Sequence, residues 1–403
     1  MGFKATLFGT GAQARVLAWF LEHDNDVDEF RVVGRNPKKV EAVVKKYSKA
    51  IAYKADATEV DKIRDAAKGT DILINAIVPE YNLYILKAAY EAGVNYIDMA
   101  FGPPYENLER ELEYYDKFRS KDLVAITSTG LTPGTTNILA ALAADDMDEV
   151  DRIKIYDVDI ADADVAFSTW SPETFIADCL EKDTYVYDGE LKRVPPFTGY
   201  EEIEIPIFGK QPFWYHAHEE QVTLWRFLGK KVNKVEFKIG GPATEFVYNL
   251  YINGLLSREE VEFDGCKIKP LNFFLKIVPK PPTEEELRRW IESGLLRDAR
   301  EVAVTEVWGW REGDYYHYKY VLIGPSILDI VKKVPPANHS SYLVSGGCYL
   351  LVKMIGNGYV KERGVIVPEQ LDRQVRLDYI KNHSRILDPS VTIKLETEVI
   401  LSK

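Results

Sequence analysis

The chain has 403 residues, a formal net charge of −12 and 46% hydrophobic residues. That length sets an expectation of two domains with sizeable cores, and the acidic balance argues against nucleic-acid or anionic-membrane partners, which select basic surfaces. No apolar run reaches the roughly 20 residues of a membrane span. No signal peptide is expected, and Cys179, Cys266 and Cys348 lack metal-ligand spacing, so a reduced, cytoplasmic protein with no metal site is expected.

The first third alternates strands and helices. Strands are predicted over 3–8, 30–34, 51–54, 71–76, 96–100 and 123–127, and helices over 12–23, 38–47, 59–67, 83–92 and 105–118. This alternation means a parallel, doubly wound sheet of the Rossmann type. Between the first strand and helix stands Gly9-Thr10-Gly11-Ala12-Gln13-Ala14. Gly9 permits the tight turn, Gly11 leaves room for a pyrophosphate, and Ala14 is small enough for the helix to pack on the strand. Ala12 and Gln13 open a helix whose free N–H groups face the phosphates. The second strand ends Gly34-Arg35-Asn36-Pro37-Lys38-Lys39, without the acidic residue that would take a ribose 2′-hydroxyl. Arg35, helped by Lys39, suits a 2′-phosphate instead. NADP is therefore expected, with NAD as the alternative. Asp56 and Ala57 follow the third strand, Asn75, Ala76, Val78 and Pro79 the fourth, and Asp98 and Ala100 the fifth. All lie at strand C-termini, where such a sheet binds its ligand.

The segment 128–137 is rich in Gly, Pro and Thr and reads as a crossing between domains. Beyond it, strands are predicted over 152–158, 234–239, 245–252, 262–268, 302–311 and 315–323, with hairpin turns at Asp188-Gly189, Asp264-Gly265 and Glu312-Gly313. A helix is predicted over 284–293. These make a second, α+β domain with a mixed, largely antiparallel sheet. From 340 to 385 the pattern turns helical and is expected to pack back on the first domain. The expected division is thus 1–135 for the dinucleotide, with 340–385 packing back on it, and 136–339 for substrate.

The glycine turn, Gly130-Leu131-Thr132-Pro133-Gly134-Thr135-Thr136-Asn137 and Gly364-Val365-Ile366-Val367-Pro368-Glu369 together resemble the saccharopine dehydrogenase-like family. That group includes saccharopine reductase, lysine 6-dehydrogenase and carboxynorspermidine dehydrogenase. The segments around Trp170-Ser171-Pro172-Glu173-Thr174 and Tyr215-His216-Ala217-His218-Glu219-Glu220 are similar to further members. The resemblance implies a Rossmann domain with an inserted α/β domain whose sheet helps form a homodimer. It also implies hydride transfer to or from a C–N bond of an amino acid. Arg35 departs from the acidic residue of the lysine 6-dehydrogenases and leans toward the NADP-using members. Pro79 replaces the substrate-facing tyrosine of saccharopine reductase.

Reducing an imine needs a placed nicotinamide, a protonated nitrogen and a clamp for the substrate carboxylate. His216 and His218, two apart and read as strand neighbours on one side, are candidates for proton transfer and substrate contact. Asp98 and Tyr81 follow strands that face the crevice and are the other catalytic candidates. Thr135, Thr136 and Asn137 at the domain crossing, Trp170 as a wall and Arg226 as a carboxylate clamp complete the expected site. Two other readings stay open on sequence: an NADP(H)-binding protein without turnover, and reduction of a C=C or C=O bond on the same fold.

Overall fold

The computed structural model describes residues 2–181, 183–387 and 392–400. Its first sheet has seven parallel strands, in the order Gly364–Ile366, Val124–Ile126, Asn95–Asp98, Ile72–Asn75, Phe3–Phe8, Val27–Gly34 and Ala50–Lys54. Successive residues point to opposite faces and both faces are covered, which is why these strands read as continuous apolar runs. Leu7, Val32 and Ile74 join the core under the helices Ala12–His23 and His339–Gly356. Phe8, Val33 and Leu73 join the opposite core with the helices Val60–Ala67 and Asn82–Ala92. The strand order reverses between Phe3–Phe8 and Ile72–Asn75, so the loops leaving these two strands part and open a crevice.

The tail does return to this unit. Gly364–Ile366 pairs beside Val124–Ile126 as the seventh strand. The helix His339–Gly356 is apolar almost all round and is buried accordingly. It lies against the helix Ala12–His23, with Phe20 stacked on Tyr349 at 4.8 Å between ring centroids.

The second sheet is mixed. Its path runs Glu201–Ile205, Gly209–Tyr215, Val232–Gly240, Glu149–Ala163, Leu296–Arg311, Asp314–Ile323 and Thr392–Ile400. Val232–Gly240 runs parallel to Glu149–Ala163 and the other pairs along the path are antiparallel. All three predicted hairpin turns are present. Each places two consecutive residues at positive φ, as a two-residue turn matched to strand twist requires.

Four readings differ from the structure. The predicted strand over 262–268 is two short strands, Val261–Phe263 and Cys266–Ile268, folded on each other about the Asp264-Gly265 turn. The predicted strand over 245–252 is part of the helix Gly241–Ile252, begun by Pro242 in its first turn. It buries Thr244 and Val247 but leaves Phe246, Tyr251 and Ile252 exposed; its aromatic and β-branched runs, Phe246-Val247-Tyr248 and Leu250-Tyr251-Ile252, mimic a strand. The predicted helix over 105–118 is two helices, Glu106–Leu112 and Tyr115–Ser120, whose buried residues Leu108 and Phe118 join different clusters. His216 and His218 are not on a strand. They follow Gly209–Tyr215 in a loop before the helix Glu220–Phe227.

Candidate active site

A cleft of about 1200 Å³ runs from the glycine turn to the face of the second sheet. Gly9 sits at φ +135°, and a Cβ there would come 2.7 Å from the Ala76 carbonyl oxygen, so only glycine fits the turn. Gly11 has nothing within 4 Å of where its Cβ would be. That open space at the start of a helix is the room a pyrophosphate needs. Ala12 and Gln13 line the cleft, and the Gln13 amide oxygen accepts a hydrogen bond from Ser345 at 2.5 Å. Ala14 is buried beneath, packing helix on strand.

Gly34, Arg35, Asn36 and Lys39 line the same end. The Asn36 side chain also caps the next helix, accepting from the Lys38 N–H at 3.1 Å. Arg35 is exposed and free to meet a phosphate. Asp56 lines the cleft too, but its carboxylate is engaged in a local turn. It accepts from the Thr58 N–H and hydroxyl, which hold it below the usual carboxylate range. Ala57, Ala76, Val78, Pro79, Tyr81 and Ala100 continue the lining. Asn75 does not reach it. Asn75 is buried, with its amide donated to Asn82 at 2.8 Å and to the Tyr96 hydroxyl at 3.1 Å. Turn, helix start and basic mouth together fit a dinucleotide with a 2′-phosphate.

At the substrate end the structure divides the expected residues. Trp170 and His218 line the cleft, with Trp170 edge-on to Phe175 at 5.7 Å. Burial pulls the His218 imidazole down, but Glu220, hydrogen-bonded at 2.5 Å, with Glu219 and Asp178, overrides this and raises it to about 10. Among the described residues, His218, Glu219 and Glu220 are also the group whose ligand atoms gather within 4.8 Å, close enough to hold a metal ion.

The other expected side chains are not brought to the cleft. Asp98 lies beneath it, accepting from the Thr127 hydroxyl at 2.9 Å and the Ser128 N–H at 3.0 Å. Desolvation raises its carboxyl to about 7. Thr135 bonds the Gly130 carbonyl and the Tyr379 hydroxyl, and Thr136 bonds the Leu131 carbonyl. Asn137 accepts from the Gly134 N–H and donates to Thr223 and Glu369. These three residues shape the crossing loop from below, while its Thr132 and Pro133 face the cleft. His216 is buried with Nδ1 3.8 Å from the Cys179 sulfur. Burial, with the neighbouring His218, holds it well below its ordinary range and so neutral. Arg226 points away, paired with Glu109 at the surface.

The floor of the cleft was not foreseen. Asp157 and Asp159 lie on the strand Glu149–Ala163, and Glu301 pairs directly opposite Asp159 on Leu296–Arg311. His339 and Ser340, at the start of the helix His339–Gly356, face them. The signal was present as Asp157-Val158-Asp159 inside an apolar strand, where alternate residues share a face. The partner Glu301 lies too far along the chain for any local pattern to reveal.

The saccharopine dehydrogenase NADP binding domain model matches residues 6–126, and the saccharopine dehydrogenase C-terminal domain model matches residues 130–384. The chain belongs to the saccharopine dehydrogenase family. As a member it is an NAD(P)-dependent oxidoreductase acting on amino-acid-like C–N bonds, with NADP as cofactor. This family member is 30% identical over 299 residues to the carboxynorspermidine synthase of Vibrio cholerae, covering 68% of this chain and 72% of the relative. It is 27% identical over 295 residues to the carboxyaminopropylagmatine dehydrogenase of Synechocystis, covering 70% and 74%. Its fold matches apo saccharopine dehydrogenase (L-Glu forming) from Saccharomyces cerevisiae with a TM-score of 0.74, at 14% identity, over 98% of this chain and 100% of that one. No described helix is long and apolar enough to cross a membrane.

Proposed function

We propose that this family member transfers hydride between NADP(H) and the C–N bond of a carboxylated, polyamine-like amine or its imine. The observation that carries this is a cleft that is basic where Arg35 and Lys39 meet the nucleotide and acidic on the opposite floor. A floor of carboxylates suits a substrate with ammonium groups and repels one that ends in carboxylates. Both curated relatives above are named for carboxylated polyamine-type molecules. The bound nicotinamide supplies the hydride that turns an iminium carbon into a secondary amine carbon, or takes it back in reverse. The chain's own residues hold the two partners. Gly9–Gln13 seat the pyrophosphate, Arg35 the 2′-phosphate, and Thr132, Pro133 and Trp170 wall the substrate. His218, kept as an imidazolium by Glu220, is the donor for the substrate carboxylate.

Division into a nucleotide unit of 1–135 with 340–385 and a substrate unit of 136–339 is supported by the return of the tail to the first sheet. A cytoplasmic homodimer belongs to the same reading. The dimer's support is the run of exposed apolar side chains in the second unit.

The test is NADPH oxidation followed optically with diamines and polyamines against aldehydes and oxoacids. Turnover with a diamine–aldehyde pair, and not with lysine and 2-oxoglutarate, is the expected result. Silence with every amine while ketones or enones are reduced would transfer the fold to another bond.

A further inference from the structure

The strands Glu149–Ala163 and Leu296–Arg311 are antiparallel, with Glu301 opposite Asp159 and Ala303 opposite Asp157. Asp157, Asp159 and Glu301 therefore share one face, and Ala161 and Ala163 continue it with room above. Like charges set opposite one another across a sheet destabilise it. Here the arrangement is also short of donors. Asp157 is 7% and Glu301 5% exposed, yet Oδ1 of Asp157 and Oε2 of Glu301 have no hydrogen-bond partner among the described residues. Their other oxygens are used. Thr132 donates to Asp157 at 2.5 Å and Ser340 to Glu301 at 3.3 Å. His339 Nε2 lies 3.6 Å from Asp159.

Two unpartnered carboxylate oxygens buried at the wall of a cavity lack a donor, which a ligand carrying N–H groups would bring. Among the described residues lining the cleft, the lysines and arginines are Arg35, Lys39 and Lys280. The first two sit at the nucleotide mouth and Lys280 is paired with Glu173, so none of these three answers the carboxylates; the His218 imidazolium acts on Asp157 but is itself hydrogen-bonded to Glu220. Nor are their oxygens gathered as a metal would need, since the His218 group alone meets that condition among the described residues.

We infer that Asp157, Asp159 and Glu301 form an alkylammonium subsite, which fixes one protonated amine of the substrate on the sheet face across from the nicotinamide end. The subsite rests on the reading that an amine substrate enters this cleft, and it names the feature that selects diamines and polyamines over dicarboxylic amino compounds. An ammonium carries enough N–H donors for the unpartnered oxygens; burial, with Asp157 and Asp159 beside it, pushes the Glu301 carboxyl well up, and the ammonium's charge favours its ionised form.

The probe is 1,3-diaminopropane, titrated calorimetrically into the full chain saturated with NADP+, beside glutarate as a dicarboxylate of similar span. The diamine binds and glutarate does not. Glu301→Gln and Asp159→Asn each weaken the diamine roughly tenfold to a hundredfold. NADPH affinity, read by fluorescence, stays at the wild-type value and certifies the fold of each variant. Equal binding of diamine and glutarate by the wild type overturns the subsite without any variant. So does wild-type diamine affinity in both folded variants, or diamine binding lost to a chelator. Diamine binding lost in Glu301→Gln, together with no turnover on any amine, keeps the subsite and removes the C–N reading. Turnover on amines with an unchanged KM in both variants does the reverse.

Discussion

Among the described residues lining the cleft, Arg35 is the one guanidinium, and no acidic residue ends its strand. A charged hydrogen bond to a phosphate contributes about 1.5–3 kcal/mol. Arg35→Ala should therefore raise KM for NADPH about tenfold to a hundredfold and leave KM for NADH unchanged. Steady-state kinetics with both cofactors checks this. Asp157 gives a second prediction, in pH. Desolvation raises its carboxyl from an ordinary 3.8 to about 7. The groups around it are Asp159 on its own strand, Glu301 on the next, Thr132 on the crossing loop, His218 and Glu220 after Tyr215, and His339 and Ser340 on the helix. The folded state holds this proton more tightly than the unfolded chain, so stability falls as pH rises from about 4 to about 7. Ionised Asp157 is the form that holds an ammonium, so KM for the amine should fall as pH rises toward and past about 7. Asp98 and Glu369, also raised to about 7, add to the stability slope but lie outside the cleft lining. Asp157→Asn should accordingly flatten the KM profile and only reduce the slope of Tm against pH. The place of the glycine turn and Arg35 on the cleft was legible because each is local to one strand–turn–helix. The acidic floor was not, because it exists only once strands some 140 residues apart are in register.

Among the elements, the helix His339–Gly356 does most to join the two halves of the cleft. Its first turn brings His339 and Ser340 to the floor, and Ser345 holds Gln13 of the glycine turn. Its middle approaches the crossing loop so closely that a Cβ on Gly347 would run into the Gly130 carbonyl oxygen and lie 2.9 Å from the Tyr379 hydroxyl. Overpacking of this kind costs about 1–3 kcal/mol. Gly347→Ala should lower Tm and, by displacing Thr132 and Pro133, raise KM for the amine more than for NADPH. Thermal melts and kinetics on one preparation check both halves, and an unchanged Tm would sink the packing argument. Elements with their own period were readable, as the exact bounds of Phe3–Phe8 and Ala12–His23 show. The helix Gly241–Ile252 was misread because tertiary context, not its own residues, sets which face is covered. Gly240-Gly241-Pro242 was the helix-start signal that outweighs its aromatic and β-branched content.

On the scale of the whole molecule, one region has only a small core, built on Ile176, Cys179, Val247, Leu256 and Leu271. The hairpin Val261–Phe263 with Cys266–Ile268 forms its own two-stranded sheet, and such a sheet is marginal in water unless something covers it. Around it Phe246, Ile252, Leu255, Phe263, Phe273 and Ile277 are each more than half exposed. Single exposed apolar side chains are ordinary, but this many within one stretch of about thirty residues mark an association surface. The same stretch contributes Phe274 and Val278 to the cleft wall, so what covers its outside also steadies the wall inside. A second copy of the chain is the partner proposed above, and a stable interface needs about 800 Å² from each side. Light scattering should then give twice the 46.0 kDa of one chain. The double variant Phe263→Asp, Ile277→Asp should run at 46.0 kDa with unchanged far-UV circular dichroism. Its KM for the amine should rise while its affinity for NADPH, set by the first sheet, holds. A wild type that already runs at 46.0 kDa removes the dimer, and a monomeric variant with wild-type KM separates assembly from the cleft.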